Sequence, residues 1–401
     1  MKILLVTQYF YPENFKSNDI AFELVKRGHV VDVLSGIPNY PEGRYFPGYG
    51  LFRKRIEVVD GVRIYRAFQM PRGRNAKGFG LALNYLTYAL FSCFWGIYLA
   101  VKNDYDCLLV HEPSPITQAL PAVLLKKIRK IPFHIWVLDI WPDAMSSGGG
   151  IRNKHLLAWM TRFVRMVYDN AAKILISSRD FESLILKQGD YKDKLVYFPN
   201  WAEDILKMPI RPIPDLPSGF RIMMAGNLGS AQTIKAVMQA ALLMKDIKDV
   251  KWIFVGDGSE RAYIEQFRSE YRLEDTVYVL GRYPFEYMSA FFHQADAMLI
   301  TLRANFPHLK AVVPARLQSY MSAGKPILGM IDGGSASLIK EADCGCVVPA
   351  EDYEALCRII TDILSDKNRF AQKGKNGRKY FEKYFTKKMC IDNLEQIIAN
   401  D

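Results

Sequence analysis

Three places in the sequence carry residue types that can do chemistry. Met223-Met224-Ala225-Gly226-Asn227-Leu228-Gly229 runs from an apolar segment into a glycine-bearing turn and then a helical stretch. Backbone N–H groups at such a helix start bind anions, a diphosphate among them, although an ordinary strand-to-helix turn has the same pattern. His111-Glu112-Pro113 closes an apolar run, where a parallel sheet presents catalytic groups and where a lone histidine also packs as core. Asp139 and Asp143 flank Trp141-Pro142 at the end of the next run; Asp143 there can equally cap a helix. Glu13, Asn39 and Tyr40 fall in loops after the first two apolar runs, where they line a cleft or simply make turns.

Other chemistries find less support. The loop Gln8-Tyr9-Phe10-Tyr11-Pro12-Glu13 lacks the G-x-G-x-x-G that a dinucleotide dehydrogenase needs after its first strand. Six scattered cysteines make neither a disulfide scaffold nor, at Cys344-x-Cys346 without a second pair, a zinc site. No Asp-x-Asp metal pair is taken to serve the site. The opening apolar run ends too soon for an export signal and reads as a first strand, in a protein of a reducing compartment.

The elements that would position these residues alternate along the whole chain. Short β-branched runs, from Ile3–Thr7 to Cys346–Val348, are separated by helical stretches, the mark of α/β folds with parallel sheets. Pro209, Pro212, Pro214 and Pro217 interrupt the alternation and predict a linker over 201–219. Domains of 1–200 and 220–385 follow, with a last helix within 386–401 expected to cross back onto the first. Two doubly wound domains in series would place both sets of strand ends on one ligand cleft.

The net charge of +11 is lopsided: residues 1–200 hold 27 Lys/Arg against 17 Asp/Glu, and residues 201–401 hold 26 against 25. Eight basic residues lie between Arg53 and Lys77, and a second cluster spans Lys126 to Lys130. An anionic partner is implied. Next comes Gly78–Val101, 24 residues without a charge and rich in aromatics. Polar interruptions and later strands of the same domain speak against a membrane span. The run is expected as a helix or helix pair lying against the domain, either buried or touching an anionic membrane surface. Nucleic acid is not expected, since no helix-turn-helix, zinc or RNP pattern occurs.

Taken together the motifs form an ordered series. They include Phe10-Tyr11-Pro12-Glu13, Arg27-Gly28-His29-x-Val31, Pro38-Asn39-Tyr40-Pro41-x-Gly43, His111-Glu112-Pro113, Asp139-x-Trp141-Pro142 and Pro199-Asn200-Trp201. Gly226-Asn227-Leu228-Gly229, Val255-Gly256-Asp257-Gly258, Leu280-Gly281-Arg282 and Pro314-Ala315-Arg316-x-x-x-Tyr320-Met321-x-Ala323-Gly324-Lys325-Pro326 continue it. In order and spacing the chain resembles the family 4 retaining glycosyltransferases of the GT-B fold, especially those of capsule, colanic-acid and O-antigen synthesis.

That resemblance implies two Rossmann-like domains facing each other across a central cleft, and a metal-independent hexosyl or N-acetylhexosaminyl transferase. The donor is a nucleotide-diphosphate sugar, with UDP favoured over GDP, and no cofactor is needed. Its base would lie near Arg282 and Tyr283, and its diphosphate on Gly226, Asn227, Leu228 and Gly229. Arg316 would compensate the leaving charge, with Arg303 and Lys310 as helpers. His111 would contact the donor sugar or β-phosphate. Asp139 and Asp143 would orient or deprotonate the acceptor hydroxyl, with Glu13, Asn39 and Tyr40 lining its cleft. The implied route is front-face attack with retention. The acceptor would be a polyprenyl-diphosphate-linked glycan, and the enzyme cytoplasmic and peripheral on the inner membrane face. The sequence departs from the family where two glutamates, eight positions apart, become Ala311 and Ser319; of these Ser319 is still expected among the donor-binding residues. A nucleotide-sugar epimerase or hydrolase, or a binding protein impaired in catalysis, therefore stays open as the alternative.

Overall fold

The computed structural model describes residues 1–73, 78–147, 150–151, 153–303 and 307–399. It divides into two compact units: Met1–Phe198 together with the chain end from Ile391, and Pro199–Cys390.

The first unit is built on strands β1 (Lys2–Val6), β2 (Val30–Gly36), β3 (Ile56–Val59), β4 (Val62–Ala67), β5 (Cys107–Glu112), β6 (Phe133–Val137), β7 (Lys173–Ile176) and β8 (Leu195–Tyr197). Its helices are α1 (Lys16–Lys26), α2 (Gly78–Lys102), α3 (Leu120–Arg129), α4 (Asp143–Ser147), α5 (Lys154–Asn170) and α6 (Phe181–Leu186). The sheet order is β3-β4-β2-β1-β5-β6-β7-β8, parallel except for β3 against β4. Both faces of the central strands are covered, which is why Ile3–Val6 and Leu108–Val110 read as unbroken apolar runs rather than alternating ones. β3 was not expected; its two half-exposed and two exposed residues give a sheet-edge signal far weaker than a buried run.

The second unit repeats the plan with β9 (Phe220–Ala225), β10 (Val250–Val255), β11 (Val277–Gly281), β12 (Ala297–Thr301), β13 (Ile327–Met330) and β14 (Gly345–Val348). Helices α7 (Ile234–Leu243), α8 (Arg261–Glu270), α9 (Met288–Gln294), α10 (Pro307–Ala311) and α11 (Ala315–Ser322) connect them. α12 (Gly333–Glu341), α13 (Tyr353–Ser365), α14 (Lys367–Tyr384) and α15 (Lys387–Ala399) complete the chain. The order β11-β10-β9-β12-β13-β14 is all parallel and reverses direction between β9 and β12. The first sheet reverses in the same way between β1 and β5. Such switch points open a crevice at the strand carboxyl ends.

The proline-rich stretch is not a free linker. Ser289 Oγ donates to the Pro209 carbonyl at 2.7 Å, and Met208, Ile213 and Leu216 pack on the second unit's core. The boundary falls instead at Phe198, whose carbonyl accepts the buried Trp136 indole N–H at 3.0 Å. The end of α15 belongs to the first unit: Arg27 pairs with Asp392 at 2.6 Å and with Glu395, and His29 lies 2.8 Å from Glu395.

The basic run 53–77 does not form one surface. Arg66 is fully buried, pairs with Glu57 and donates to the Tyr11 carbonyl; Arg55 holds the Arg66 and Leu51 carbonyls. Arg53, Lys54 and Arg63 are exposed, while Arg74 and Lys77 lie outside the described residues. The charge-free run forms the single 25-residue helix α2. Tyr88, Ser92, Gly96 and Leu99 are buried on one side, with α3 packed at Gly96. Leu86, Leu90, Phe94, Ile97 and Val101 are exposed on the other.

Candidate functional site

In the second unit the site grows from the end of β9. Gly226 turns the chain with φ +111° and donates its N–H to the Val255 carbonyl at 2.9 Å. The loop after β10 lies so close that a Cβ on Gly256 would sit 1.8 Å from the Gly226 oxygen, and one on Gly258 2.5 Å from that of Leu228. Glycine is required at both positions to bring two main chains together. Tyr320, from α11, accepts the Ala225 N–H at 3.0 Å and donates to the Ala225 carbonyl at 3.1 Å, pinning the strand end. One turn earlier on α11, Arg316 donates through Nη2 to the Asn227 carbonyl at 3.1 Å, while its buried Nη1 has no partner. A guanidinium thus stands against the Gly226–Asn227 turn with a donor to spare.

A pocket of about 340 Å³ brings Gly226, Asn227, Gly256, Asp257, Arg282 and Tyr283 together. A larger hollow of about 630 Å³, between α7 and α13, holds none of the motif residues and is wide open to solvent.

The turn is less of an amide cradle than its sequence implied. The N–H of Leu228 goes to the Asp257 carbonyl at 2.9 Å and that of Gly229 to Gln232 Oε1 at 3.0 Å. The Leu228 side chain is core. With Gly226 also engaged, three of the four expected amides hold the turn itself. Arg303, after β12, is tied to the turn by its N–H, 3.0 Å from the Ala231 carbonyl. Lys310 is drawn to Asp332 at 3.4 Å, and Ser319 Oγ back-bonds to Ala315 within α11. Ala311 is buried.

In the first unit the site forms around the β1/β5 switch point. His111 is buried at the end of β5, its Nδ1 3.3 Å from Thr7 Oγ1 and its ring against Trp136. Burial, then the charge of Lys16, lowers its pKa to about 3, so the imidazole is neutral at physiological pH. Its Nε2 has no partner. Asp139 follows β6, and burial raises its carboxyl to about 7 against the opposing pull of the Ile140 amide and Ser114. That value suits a group that must accept a proton near neutrality. Asp143 is exposed and is the first residue of α4.

Glu13 and Asn39 are buried and serve the loops rather than a cleft wall. The Glu13 carboxyl accepts the N–H groups of Asn39 and Tyr40 through Oε1 and that of Phe10 through Oε2. Burial raises it to about 7, countered by those three amides. Asn39 Oδ1 accepts the Arg72 N–H at 3.1 Å. Tyr40 alone of the three is exposed, its ring beside Tyr9 and Phe15. Arg72 lies over both tyrosines, 5.7 Å from Tyr9 and 4.9 Å from Tyr40. Sequence reading missed the cluster of Tyr9, Phe15, Tyr40 and Arg72 because its members come from three loops far apart in the chain. The Glu112 carboxyl, also missed, is signalled only by its adjacency to His111.

Asp104-Tyr105-Asp106, the chain's one Asp-x-Asp, lies before β5 at the opposite end of the strand from His111. Asp106 accepts the Lys2 N–H and Asp104 pairs with Arg129. Among the described residues no three His, Cys, Asp or Glu side chains gather as a metal site.

Comparison with known proteins agrees with this geometry. Residues 211–380 match the family described as glycosyl transferases group 1, and residues 17–201 the glycosyl transferase 4-like domain. WbjE of Pseudomonas aeruginosa, described as a probable glycosyltransferase, is 28% identical over 263 residues, covering 61% of this chain and 64% of its own length. WcaI of Escherichia coli K12, provisionally described as a colanic acid biosynthesis glycosyl transferase, is 22% identical over 81% of this chain and 82% of its own. Among solved structures, a sucrose-phosphate synthase from Thermosynechococcus elongatus superposes with TM-score 0.74 at 17% identity, covering 100% of this chain and 98% of that one. Anabaena HepE, solved with UDP, gives 0.70 at 15% identity with both chains fully covered. With both halves matched in order, and the same strand-end motifs present in the fold, the chain belongs to the group 1 glycosyltransferases, of GT-B type.

Proposed function

We propose that this protein transfers a hexosyl or N-acetylhexosaminyl group from a UDP-sugar to a hydroxyl of a lipid-linked glycan, with retention of anomeric configuration. The observation that carries the reading is Arg316, held against the Gly226–Asn227 turn with Nη1 unpartnered beside a pocket that includes Arg282 and Tyr283. A guanidinium there matches a departing diphosphate, whose charge it offsets without a metal ion. Tyr283 and Arg282 suit a base, and Gly226 and Asn227 the phosphates. Arg303 and Lys310 stand as outer helpers, Lys310 at the expense of its pair with Asp332. UDP is favoured because HepE, of the same fold, was solved with UDP and with UDP-glucose.

In the first unit, neutral His111 with its free Nε2 offers a donor or acceptor to the sugar. Asp139 orients the acceptor hydroxyl, which attacks the anomeric carbon from the face the diphosphate leaves. The hydroxyl proton passes to the departing phosphate oxygen; the new C–O bond forms as the old one breaks. Asp143 and Tyr40 serve the acceptor's outer part.

Lipid-linked acceptors place the enzyme on the inner face of the cytoplasmic membrane. The exposed side of α2 supports this, since Leu90, Phe94 and Val101 face outward with exposed Lys102, Arg53 and Lys54 in the same unit. Each basic residue near an anionic leaflet contributes about 1 kcal/mol. Flotation with liposomes containing acidic lipid should carry the protein upward, and F94E with L90E should abolish it; equal flotation of the variant removes the docking surface.

A thermal-shift screen of UDP-, GDP-, CMP- and dTDP-sugars tests the donor, since a preferred nucleotide stabilises by mass action. NMR of the product from UDP-sugar and acceptor then reads the anomeric configuration. Inversion defeats the retaining route. Sugar or epimer released without acceptor favours the epimerase or hydrolase alternative. Binding with no turnover favours an impaired binding protein, which Ala311 and Ser319 in place of two glutamates make the second reading.

A further inference from the structure

Glu112 follows His111 on β5 but points the other way. Successive strand residues alternate faces, so His111 shares a face with Trp136, its register partner, and Glu112 shares one with Val137. Asp139 lies two residues beyond Val137, and Leu138 N–H still pairs with the Glu112 carbonyl at 3.0 Å. The carboxyls of Glu112 and Asp139 are therefore neighbours on one side of the sheet at its carboxyl end.

Glu112 is fully buried and neither carboxyl oxygen has a hydrogen-bond partner. The Asp139 backbone N–H exerts a smaller, opposing pull on the carboxyl without meeting hydrogen-bond geometry. The groups that act on the pair from the packed elements are Tyr85 of α2 and Tyr168 of α5, whose buried hydroxyl is also unpartnered. No cation is among the influences on the Glu112 carboxyl; burial first, and then the negative charge of Asp139, push it well above the usual carboxylate range. A lone buried carboxylate without a cation or donor is costly, and the group takes up a proton instead.

We infer that Glu112 is a positioning residue for the acceptor side: it stays protonated through neutral pH, leaving Asp139 as the single negative charge at these strand ends. This rests on the reading of Asp139 as the group that faces the acceptor hydroxyl. The pair loses its first proton from Asp139 and its second from Glu112. Were Glu112 ionised as well, the two charges would repel and Asp139 would hold its own proton at the pH where the hydroxyl needs a hydrogen-bond acceptor to orient it.

Two measurements test this. At pH 8.5, where Asp139 and Glu13 have ionised, an infrared difference spectrum of wild type against E112Q should show a protonated-carboxyl C=O band. The same band should be retained in D139N, read against the D139N/E112Q double variant. In kinetics, E112Q, the isostere of the neutral form, should lose only about three- to tenfold in kcat/KM, with the acid limb of the pH profile unmoved. E112A should lose more than E112Q through its cavity. The inference is overturned if the band is missing, if E112Q loses about a hundredfold, or if its acid limb drops by about one unit, as removal of a neighbouring charge would cause. A carboxyl band together with full activity in D139N would instead sink the role of Asp139 and leave the protonated Glu112 standing.

Discussion

The two units share a topology and differ in what they place at its switch point. At the ends of β5 and β6, beside that point, the first unit buries groups that titrate: His111 driven neutral, and Asp139 and Glu112 driven toward their protonated forms. Between β9 and β12 the second unit places glycines, main chain and a guanidinium whose charge does not change with pH. One scaffold thus carries two kinds of electrostatics. Desolvated titratable groups suit a neutral hydroxyl whose proton must move. A permanent cation on a rigid turn suits a ligand already highly charged. The contrast explains why a single fold can be used twice in one chain without redundancy.

Removing the permanent charge should have the largest effect. R316A is expected to lower kcat/KM by about 10²–10³, as loss of one aimed donor to a developing anion does elsewhere. R316K, which keeps charge without the fork, should recover part of it in steady-state assays. Activity in R316A within about threefold of wild type would erase the distinction between the units.

G256A attacks the turn instead. Its Cβ would meet the Gly226 oxygen at 1.8 Å, so the two loops must part. A loss of about 3 kcal/mol in denaturant unfolding is expected, along with loss of UDP-sugar thermal shift.

D139N probes the titrating side and should reduce kcat/KM by about 10². In wild type, activity should rise with pH through about 7, and the variant should lose that limb. Stability should move in the opposite sense. A carboxyl raised in the fold favours the folded state at low pH, and that contribution is lost as pH climbs from the ordinary aspartate value to about 7. Above pH 7, D139N should therefore melt higher than wild type, by a few degrees, while transferring less. The stability difference between R316A and wild type should stay flat over the same range, which sharpens the comparison.

The smallest effect belongs to the α15 return. Glu395, opposed by its own burial, is held below the usual carboxylate range by His29 and Arg27. Its contribution is present above that range and lost as pH falls through the depressed value. E395Q should cost under about 1 kcal/mol, since the pair is partly exposed. Chemical unfolding at pH 7 and pH 4 should show the difference shrink at the lower pH.

Much of the fold was legible because its strands are short, β-branched and buried on both faces, so period and composition agree. Thirteen of the strands are bounded by turn residues the eye can find; β3 escaped because an edge strand buries little. The stretch expected as a linker does more than connect. Prolines exclude helix and central strand but do not exclude packing, and Pro209 to Leu216 lies on the second unit's core.

What the order of residues determined by itself was the chemistry on hand and its place at strand ends: His111, Asp139, the Gly226 turn and Arg316 are local motifs. Only the tertiary structure decided how each is used. It spent Glu13, Asn39 and three amides of the turn on holding loops, freed one arm of Arg316, and stripped His111 and Glu112 of water. Spacing along a chain fixes which groups stand near a turn, whereas solvation and the occupation of each donor depend on segments tens to hundreds of residues away.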